Sequence, residues 1–291
     1  MQILDGKQTS LVIQEELTKK VKLLTSKGEK PPHLAAILVG DNGASRTYVN
    51  AKVKACQRIG FQSSLIELDN NVTEKELLDE VRKLNTNTSV DGFIVQLPLP
   101  SHINENKIIL SIDPNKDVDG FHPENIGKMT LGMPSFLPAT PNGIMELLKR
   151  YEIPTEGKQT VVLGRSNIVG TPISILMSRK NYPGNSTVTL AHSRTGNLKQ
   201  VCLNADILIV AIGIPQFITS EMIKPGAVVI DVGIHRVEDS SKKNGFKLLG
   251  DVDFTNASQK CSFITPVPGG VGPMTIASLL MNTYIANNGR Y

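Results

Sequence analysis

The 291-residue chain has no tryptophan, and aromatic residues make up only 4 % of it. Single-strand nucleic-acid binders stack bases on aromatic faces, so this shortage excludes that class. Cysteine is equally scarce. Cys56, Cys202 and Cys261 are odd in number and share no metal-ligand spacing, which excludes a disulfide framework and points to a reducing compartment. The longest apolar run, around Ile207 to Ile214, is far too short to cross a bilayer. No block of Lys and Arg is long enough for a polynucleotide footprint, and the formal charge is only +4. Nothing at Met1-Gln-Ile-Leu-Asp-Gly-Lys7 resembles a signal or transit peptide. A cytoplasmic protein with no membrane or nucleic-acid partner is therefore expected. Its mild positive balance suits phosphate-bearing small molecules.

What is present is ordinary globular material, 40 % hydrophobic and 20 % charged, enough for one large or two medium domains. Helical periodicity covers Leu11 to Leu24, and the apolar run Ala35 to Gly40 predicts a buried strand. A helix over Ala44 to Ile59 and a strand over Ser64 to Leu68 follow. Thr73-Glu-Lys-Glu76 is a capping box opening a helix to Leu84. Gly92 to Val95 is the next strand and Asn104 to Leu110 a short helix. Pro134, Pro138 and Pro141 mark a boundary, with Pro141 in the first turn of a joining helix that ends near Tyr151. Beyond it, strands are predicted at Thr160–Leu163, Thr187–Leu190, Ile207–Val210, Val228–Asp231 and Ser262–Ile264. A closing helix runs from Pro273 to Ala286, and Ser241–Gly245 reads as a hairpin loop. Strands alternating with helices imply βαβ units and a parallel sheet.

Strand Thr160–Leu163 runs straight into Gly164-Arg-Ser-Asn-Ile-Val-Gly170 ahead of a helix. Glycine at such a turn lets the backbone approach a ligand, and the helix N-terminus offers free N–H groups to a phosphate. The spacing departs from the strict Gly-x-Gly-x-x-Gly fingerprint; strand, turn and helix in order supply the missing context. At the end of the next strand, where NAD-binding folds carry an acid, stands His192-Ser193-Arg194-Thr195. A carboxylate there would repel a 2′-phosphate, whereas Arg and Ser hold one, and Arg165 can reach the same spot. NADP rather than NAD is the expected cofactor. Ala211–Gly213 and Asp231–Ile234 end strands on the edge where adenine and nicotinamide would lie, and His235 reads as a loop histidine.

In the first half, Tyr48 and Lys52 lie one turn apart on one helix face. A phenol beside an ammonium can handle protons, and burial or a neighbouring charge lowers a lysine pKa. Gln96 closes a buried strand at the edge where ligands sit, followed by two prolines. Asp117 and Asp119, within Asp113 to His122, read as a polar loop and not as a metal site. Thr265-Pro-Val-Pro-Gly-Gly-Val-Gly-Pro-Met-Thr275 is rigid enough to wall a flat ligand.

The blocks Tyr48–Lys52, Val95-Gln-Leu-Pro-Leu99, Lys116-Asp-Val-Asp-Gly120, Gly164–Gly170 and Thr265–Thr275 resemble, in order over nearly the whole chain, the bifunctional methylenetetrahydrofolate dehydrogenase/methenyltetrahydrofolate cyclohydrolase family. The resemblance implies an α/β protein with two domains and a cleft between them. Residues 1–139 with 271–291 would form the catalytic, folate-binding domain, and 140–270 a Rossmann-type NADP domain. It implies NADP-linked oxidation of 5,10-methylenetetrahydrofolate and hydrolysis to 10-formyltetrahydrofolate, within one-carbon metabolism and purine biosynthesis. A homodimer built through the cofactor domains is implied as well. On the same resemblance Lys52 is the central catalytic residue, Tyr48 positions the folate, Gln96 tunes Lys52 and Asp119 anchors the pterin. Pro268, Gly269, Gly270 and Val271 flank the substrate. Gly164, Arg165, Ser166 and Ser193 meet the cofactor and its phosphates, and Ile234 its nicotinamide end. No metal is implied.

His235 stands where an Asn is common in that family, and the chain is expected to lack a fused formate–tetrahydrofolate ligase. A short-chain dehydrogenase also uses Tyr-x-x-x-Lys, but there the glycine turn precedes the tyrosine. A dehydrogenase of the shikimate type shares the domain order yet leaves the Gln-Leu-Pro-Leu-Pro and Pro-Gly-Gly-Val-Gly-Pro blocks unexplained. A dinucleotide-sensing regulator would be free to lose Tyr48, Lys52 or Gln96, and all three are present.

Overall fold

A computed structural model describes residues 1–242 and 245–289. The chain forms two compact units, Leu11–Ala139 with Ile276–Tyr291, and Met1–Ser10 with Thr140–Thr275. It opens with strand β1 (Gln2–Ile3) and helix α1 (Gly6–Ser26). Then come β2 (His33–Val39), α2 (Gly43–Ile59), β3 (Gln62–Leu68), α3 (Glu74–Thr86), β4 (Gly92–Val95), α4 (Glu105–Ser111) and α5 (Pro123–Thr130).

In the first of these units β3, β2 and β4 pair in that order, all parallel. Six of the seven residues of β2 are buried, because a central parallel strand is covered on both faces. Ala35, Ile37, Val39, Phe93 and Val95 form one core with Leu77, Val81 and Leu84 of α3 and Ile108 of α4. Helix α3 starts at the predicted box: Thr73 Oγ1 accepts from the Glu76 N–H, and Glu76 Oε2 from the Thr73 N–H. Helix α5 is absent from the sequence reading. Pro123 at its first position, after the His122 cap, was its legible signal.

Helix α6 (Ala139–Arg150) begins where one unit gives way to the other. There follow β5 (Gln159–Leu163), α7 (Gly170–Ser178), β6 (Thr187–Ala191), α8 (Leu198–Leu203), β7 (Ile207–Val210), β8 (Val228–Asp231), β9 (His235–Glu238), β10 (Phe246–Leu249), α9 (Phe254–Ala257), β11 (Phe263–Ile264) and α10 (Val271–Asn287). Six strands form one sheet in the order β1-β11-β8-β7-β5-β6, parallel at every pairing. The sheet is a Rossmann-type core in which β7 and β8 are buried along their whole length.

Two expectations change. Met1–Ser10 and residues 271–275 group with the six-stranded sheet, not with the first half of the chain. Parallel pairing of Gln2 with Phe263 and Ile3 with Ile264 fixes the N-terminus there, and the Lys7 N–H donates to Gly269 O at 2.8 Å. His235 is no loop residue: it opens β9 in register with Leu249 of β10. The predicted Ser241–Gly245 loop joins these two antiparallel strands, but its Lys243 and Asn244 lie outside the described residues.

Candidate active site

Helix α2 is held at both ends. Asn42 Oδ1 accepts from the N–H groups of Ala44 and Ser45, and Gly60 closes the helix at φ +83°. Its buried stripe is Ser45, Val49, Lys52, Cys56 and Ile59, spaced as a core-facing helix face requires. A lysine in such a stripe is out of place for packing alone: its ammonium loses water with nothing apolar gained. Lys52 is only 7 % exposed. Its Nζ donates to Gln96 Oε1 at 3.1 Å.

Gln96 follows β4 directly and extends the strand pairing, since its N–H donates to Ile37 O at 2.9 Å. Its amide also donates to Leu97 O at 2.6 Å, which turns Oε1 to the lysine. Asp119 arrives by a similar route. Phe93 of β4 bridges Asp117, and the Gly120 N–H then closes a turn on Asp117 O at 3.0 Å; Asp119 lies in this turn, within electrostatic range of Lys52. Gly92 makes this approach feasible, because a Cβ there would come within 2.2 Å of Val118.

The electrostatics follow from the burial. Desolvation pulls the Lys52 pKa down, and the Asp119 carboxylate pulls it partly back. Burial raises Asp119, and Lys52 opposes that rise. Burial likewise raises the half-buried Tyr48, one turn before Lys52, and pushes the Cys56 thiol up to about 12, where it stays protonated and inert. Lys52 and Gln96, expected to be catalytic, and Asp119, expected to anchor the substrate, thus lie in one neighbourhood. Asp117, read as half of a polar loop, is structural. It is buried, accepts from the His122 N–H at 2.7 Å and from Asn125 Nδ2 at 3.0 Å, and so shapes the turn that carries Asp119. Among the described residues no cluster of His, Cys, Asp and Glu is arranged to hold a metal ion, and no helix is long and apolar enough to cross a membrane.

The six-stranded unit builds a different site. Gly164 leaves β5 at φ +118°, a conformation open only to glycine, and a Cβ on it would lie 2.0 Å from Ala211 O. A Cβ on Gly170 would lie 1.9 Å from Gly164 O, so the turn closes tightly on the start of α7. Ser166 Oγ accepts from the Val169 and Gly170 N–H groups at 3.2 and 3.3 Å. Ser166 therefore ties down the turn ahead of α7, a role the sequence reading did not include. Arg165 is exposed on the same turn. Leu163 and Ala191 are in register, which brings the exposed Ser193 and Arg194 to the edge where that turn lies. Between them the turn is fixed by the His192 N–H on Thr195 Oγ1 at 2.9 Å and the Arg194 N–H on His192 Nδ1 at 3.1 Å. Ile234 is 44 % exposed just beyond β8. Pro268, Gly269, Gly270 and Val271 belong to this unit too and lead into α10. Gly269 sits at φ +107°, and Gly270 packs so closely on Gly6 that a Cβ on Gly6 would lie 1.8 Å from Gly270 O.

Comparison with known proteins places the chain. The sequence profile of the tetrahydrofolate dehydrogenase/cyclohydrolase catalytic domain matches residues 4–119, and that of the NAD(P)-binding domain of the same family matches residues 138–290. The bifunctional protein FolD of Cytophaga hutchinsonii is 62 % identical over 283 residues, covering 97 % of this chain and 98 % of the relative. The crystal structure of the bifunctional FolD methylenetetrahydrofolate dehydrogenase/cyclohydrolase of Campylobacter jejuni superposes with a TM-score of 0.93 at 49 % identity, covering the whole of both chains. The Trypanosoma brucei methylenetetrahydrofolate dehydrogenase-cyclohydrolase, solved with NADP and an inhibitor, gives a TM-score of 0.93 at 39 % identity over 98 % of this chain and 96 % of that one. The chain belongs to the tetrahydrofolate dehydrogenase/cyclohydrolase family.

Proposed function

We propose that the protein oxidises 5,10-methylenetetrahydrofolate to the methenyl form with NADP and hydrolyses the product to 10-formyltetrahydrofolate. The observation that carries the reading is a buried lysine, Lys52, whose amine is held by the Gln96 amide and balanced by Asp119. The methenyl carbon is an electrophilic, amidinium-type centre. In hydrolysis the free Lys52 amine takes a proton from the attacking water at Nζ, and Gln96 Oε1 steadies the ammonium so formed. The same proton then passes to the ring nitrogen as its bond to that carbon breaks, and the remaining O–H proton leaves to solvent as the formyl C=O forms. One lysine between two charge states serves both transfers. Tyr48 positions the folate, Asp119 anchors the pterin, and the Pro268–Val271 loop flanks the substrate.

The six-stranded unit fits a dinucleotide. Gly164 and Gly170 leave a turn that any Cβ would fill, and the edge of β6 presents Ser193 and Arg194 with no acid among residues 192–195. Arg165, Ser166 and Ser193 hold the phosphates, and Ile234 lies against the nicotinamide. Bound NADP supplies the hydride acceptor for the oxidation.

The same reading makes the protein a cytoplasmic homodimer that feeds formyl groups to purine biosynthesis and has no nucleic-acid partner. Support for self-association is the position of β6 at the sheet edge, with Leu190 37 % exposed.

The test is a spectrophotometric assay with methylenetetrahydrofolate and each nicotinamide cofactor, following the rise and decay of the methenyl chromophore. Lys52→Met should abolish the decay while NADP binding persists. Undiminished formation of 10-formyltetrahydrofolate in that variant would sink the assignment.

A further inference from the structure

The carboxyl ends of four parallel strands lie level. Leu163 is in register with Ala191 on one side and Val210 on the other, and Val210 with Asp231. Connections from β5 run first to one side, to β6, and then to the other, to β7. A dinucleotide binds at such a reversal in an open parallel sheet. The backbone leaving β7 at that point is held by a carboxylate. The N–H groups of Ile212 and Gly213 both donate to Asp251 Oδ2, at 2.8 and 3.1 Å.

Asp251 is fully buried, and its other oxygen, Oδ1, accepts from His235 Nε2 at 2.7 Å. A second buried carboxylate backs it. Asp231 Oδ1 accepts from the Asp251 and Gly233 N–H groups at 2.9 and 3.0 Å, and Asp231 Oδ2 from the Val252 N–H at 2.9 Å. The two acids thus tie the exits of β7 and β8 to the base of the β9–β10 hairpin. Two glycines make room for them. A Cβ on Gly233 would come within 2.3 Å of Asp251 Oδ1, and one on Gly250 within 1.9 Å of Asp231 Oδ2. Ile234 is exposed between two pinned neighbours, Gly233 through Asp231 and His235 through Asp251.

We propose that His235 is a positioning residue for the dinucleotide: its imidazole, acting through Asp251, fixes the Ile212–Gly213 backbone and the presentation of Ile234 at the strand ends where the dinucleotide binds. The proposal rests on the reading of this unit as the NADP site. Without the imidazole donor, a buried carboxylate oxygen is left unpaired, and the loop must shift or admit water to satisfy it. A glutamine amide, whose Nε2 reaches about as far as the imidazole Nε2, can still donate to Asp251.

The experiment compares wild type with H235L, H235A and H235Q. NADP KM and kcat for the dehydrogenase, direct NADPH binding by nucleotide fluorescence and the cyclohydrolase rate are measured on each. The cyclohydrolase step consumes no dinucleotide and serves as the internal control for folding. H235L and H235A should raise the NADP KM and weaken NADPH binding about tenfold, with kcat and the cyclohydrolase rate changed less than about twofold. H235Q should restore most of the affinity, and added imidazole should do so for H235A. Unchanged NADP affinity in H235L and H235A overturns the proposal, and so does an H235Q variant no better than H235L. Equal loss of both activities also overturns it, since that marks a general structural role. A wild type that binds NADP yet leaves methylenetetrahydrofolate unoxidised sinks the functional reading alone, and the binding ratios of the variants still decide the role of His235.

Discussion

Replacing Gln96 by methionine keeps the side-chain length and removes the acceptor that meets Lys52 Nζ at 3.1 Å. A hydrogen bond to a charged group contributes about 1.5–3 kcal/mol. The ammonium form of Lys52 loses that much, on top of the desolvation that already lowers its pKa. Hydrolysis needs the free amine, so its rate falls as pH drops through the lysine pKa. Destabilising the ammonium therefore moves this acid limb to lower pH, by about one to two pH units at about 1.4 kcal/mol per unit. Gln96→Glu works in the opposite direction. A carboxylate in hydrogen-bonding range favours the ammonium and adds to the pull of Asp119, so the limb moves to higher pH and the rate at neutral pH falls. The assay is the decay of the methenyl chromophore across a pH series for wild type and both variants, corrected for spontaneous hydrolysis. Limbs that move in the same direction, or do not move at all, would falsify the account of Gln96 as the residue that sets the charge state of Lys52.

Arg165→Ala and Ser193→Ala should each weaken NADP about tenfold, by loss of one charge-assisted hydrogen bond, and NAD much less; isothermal titration with both cofactors measures this, and equal losses would rule out the 2′-phosphate reading. Asp117 gives a pH dependence of stability. Burial pushes its carboxyl up to about 6, and Asp231 is pushed to about 6 in the same way. A raised carboxyl contributes stability that is fully present below the ordinary carboxylate pKa and is lost as pH rises through about 6. The loss is about 3 kcal/mol per group. In Asp117→Asn the decline in unfolding free energy between pH 4 and pH 7 should shrink by about 3 kcal/mol. Urea melts at four pH values that show the wild-type slope in this variant would refute the assignment.

Much of the fold was legible because its signals are local. The capping box at Thr73 and the buried runs of β2, β7 and β8 each express a short-range rule, and the elements appear where those rules put them. The hidden parts depend on distant partners. Two-residue β1 has no pattern of its own and exists because Phe263 and Ile264 offer it an edge. His235 looked like a loop residue because its partner, Leu249, comes after a hairpin turn.

The sequence by itself determined the order of βαβ units, the glycine turn at Gly164, the missing acid at His192–Thr195 and the presence of Tyr48, Lys52, Gln96 and Asp119. Spacing, composition and backbone demands are carried within a few residues. Tertiary structure decided what those residues can do. It placed Lys52 in a buried stripe, turned the Gln96 amide to face it and brought Asp119 within electrostatic range of it, none of which spacing specifies. It also separated the two acids of the Asp117–Asp119 pair into a structural and a site carboxylate, and joined Asp231, Asp251 and His235 across three stretches of chain. Charge state and hydrogen-bond partners depend on which groups exclude water together, and only packing of distant segments sets that.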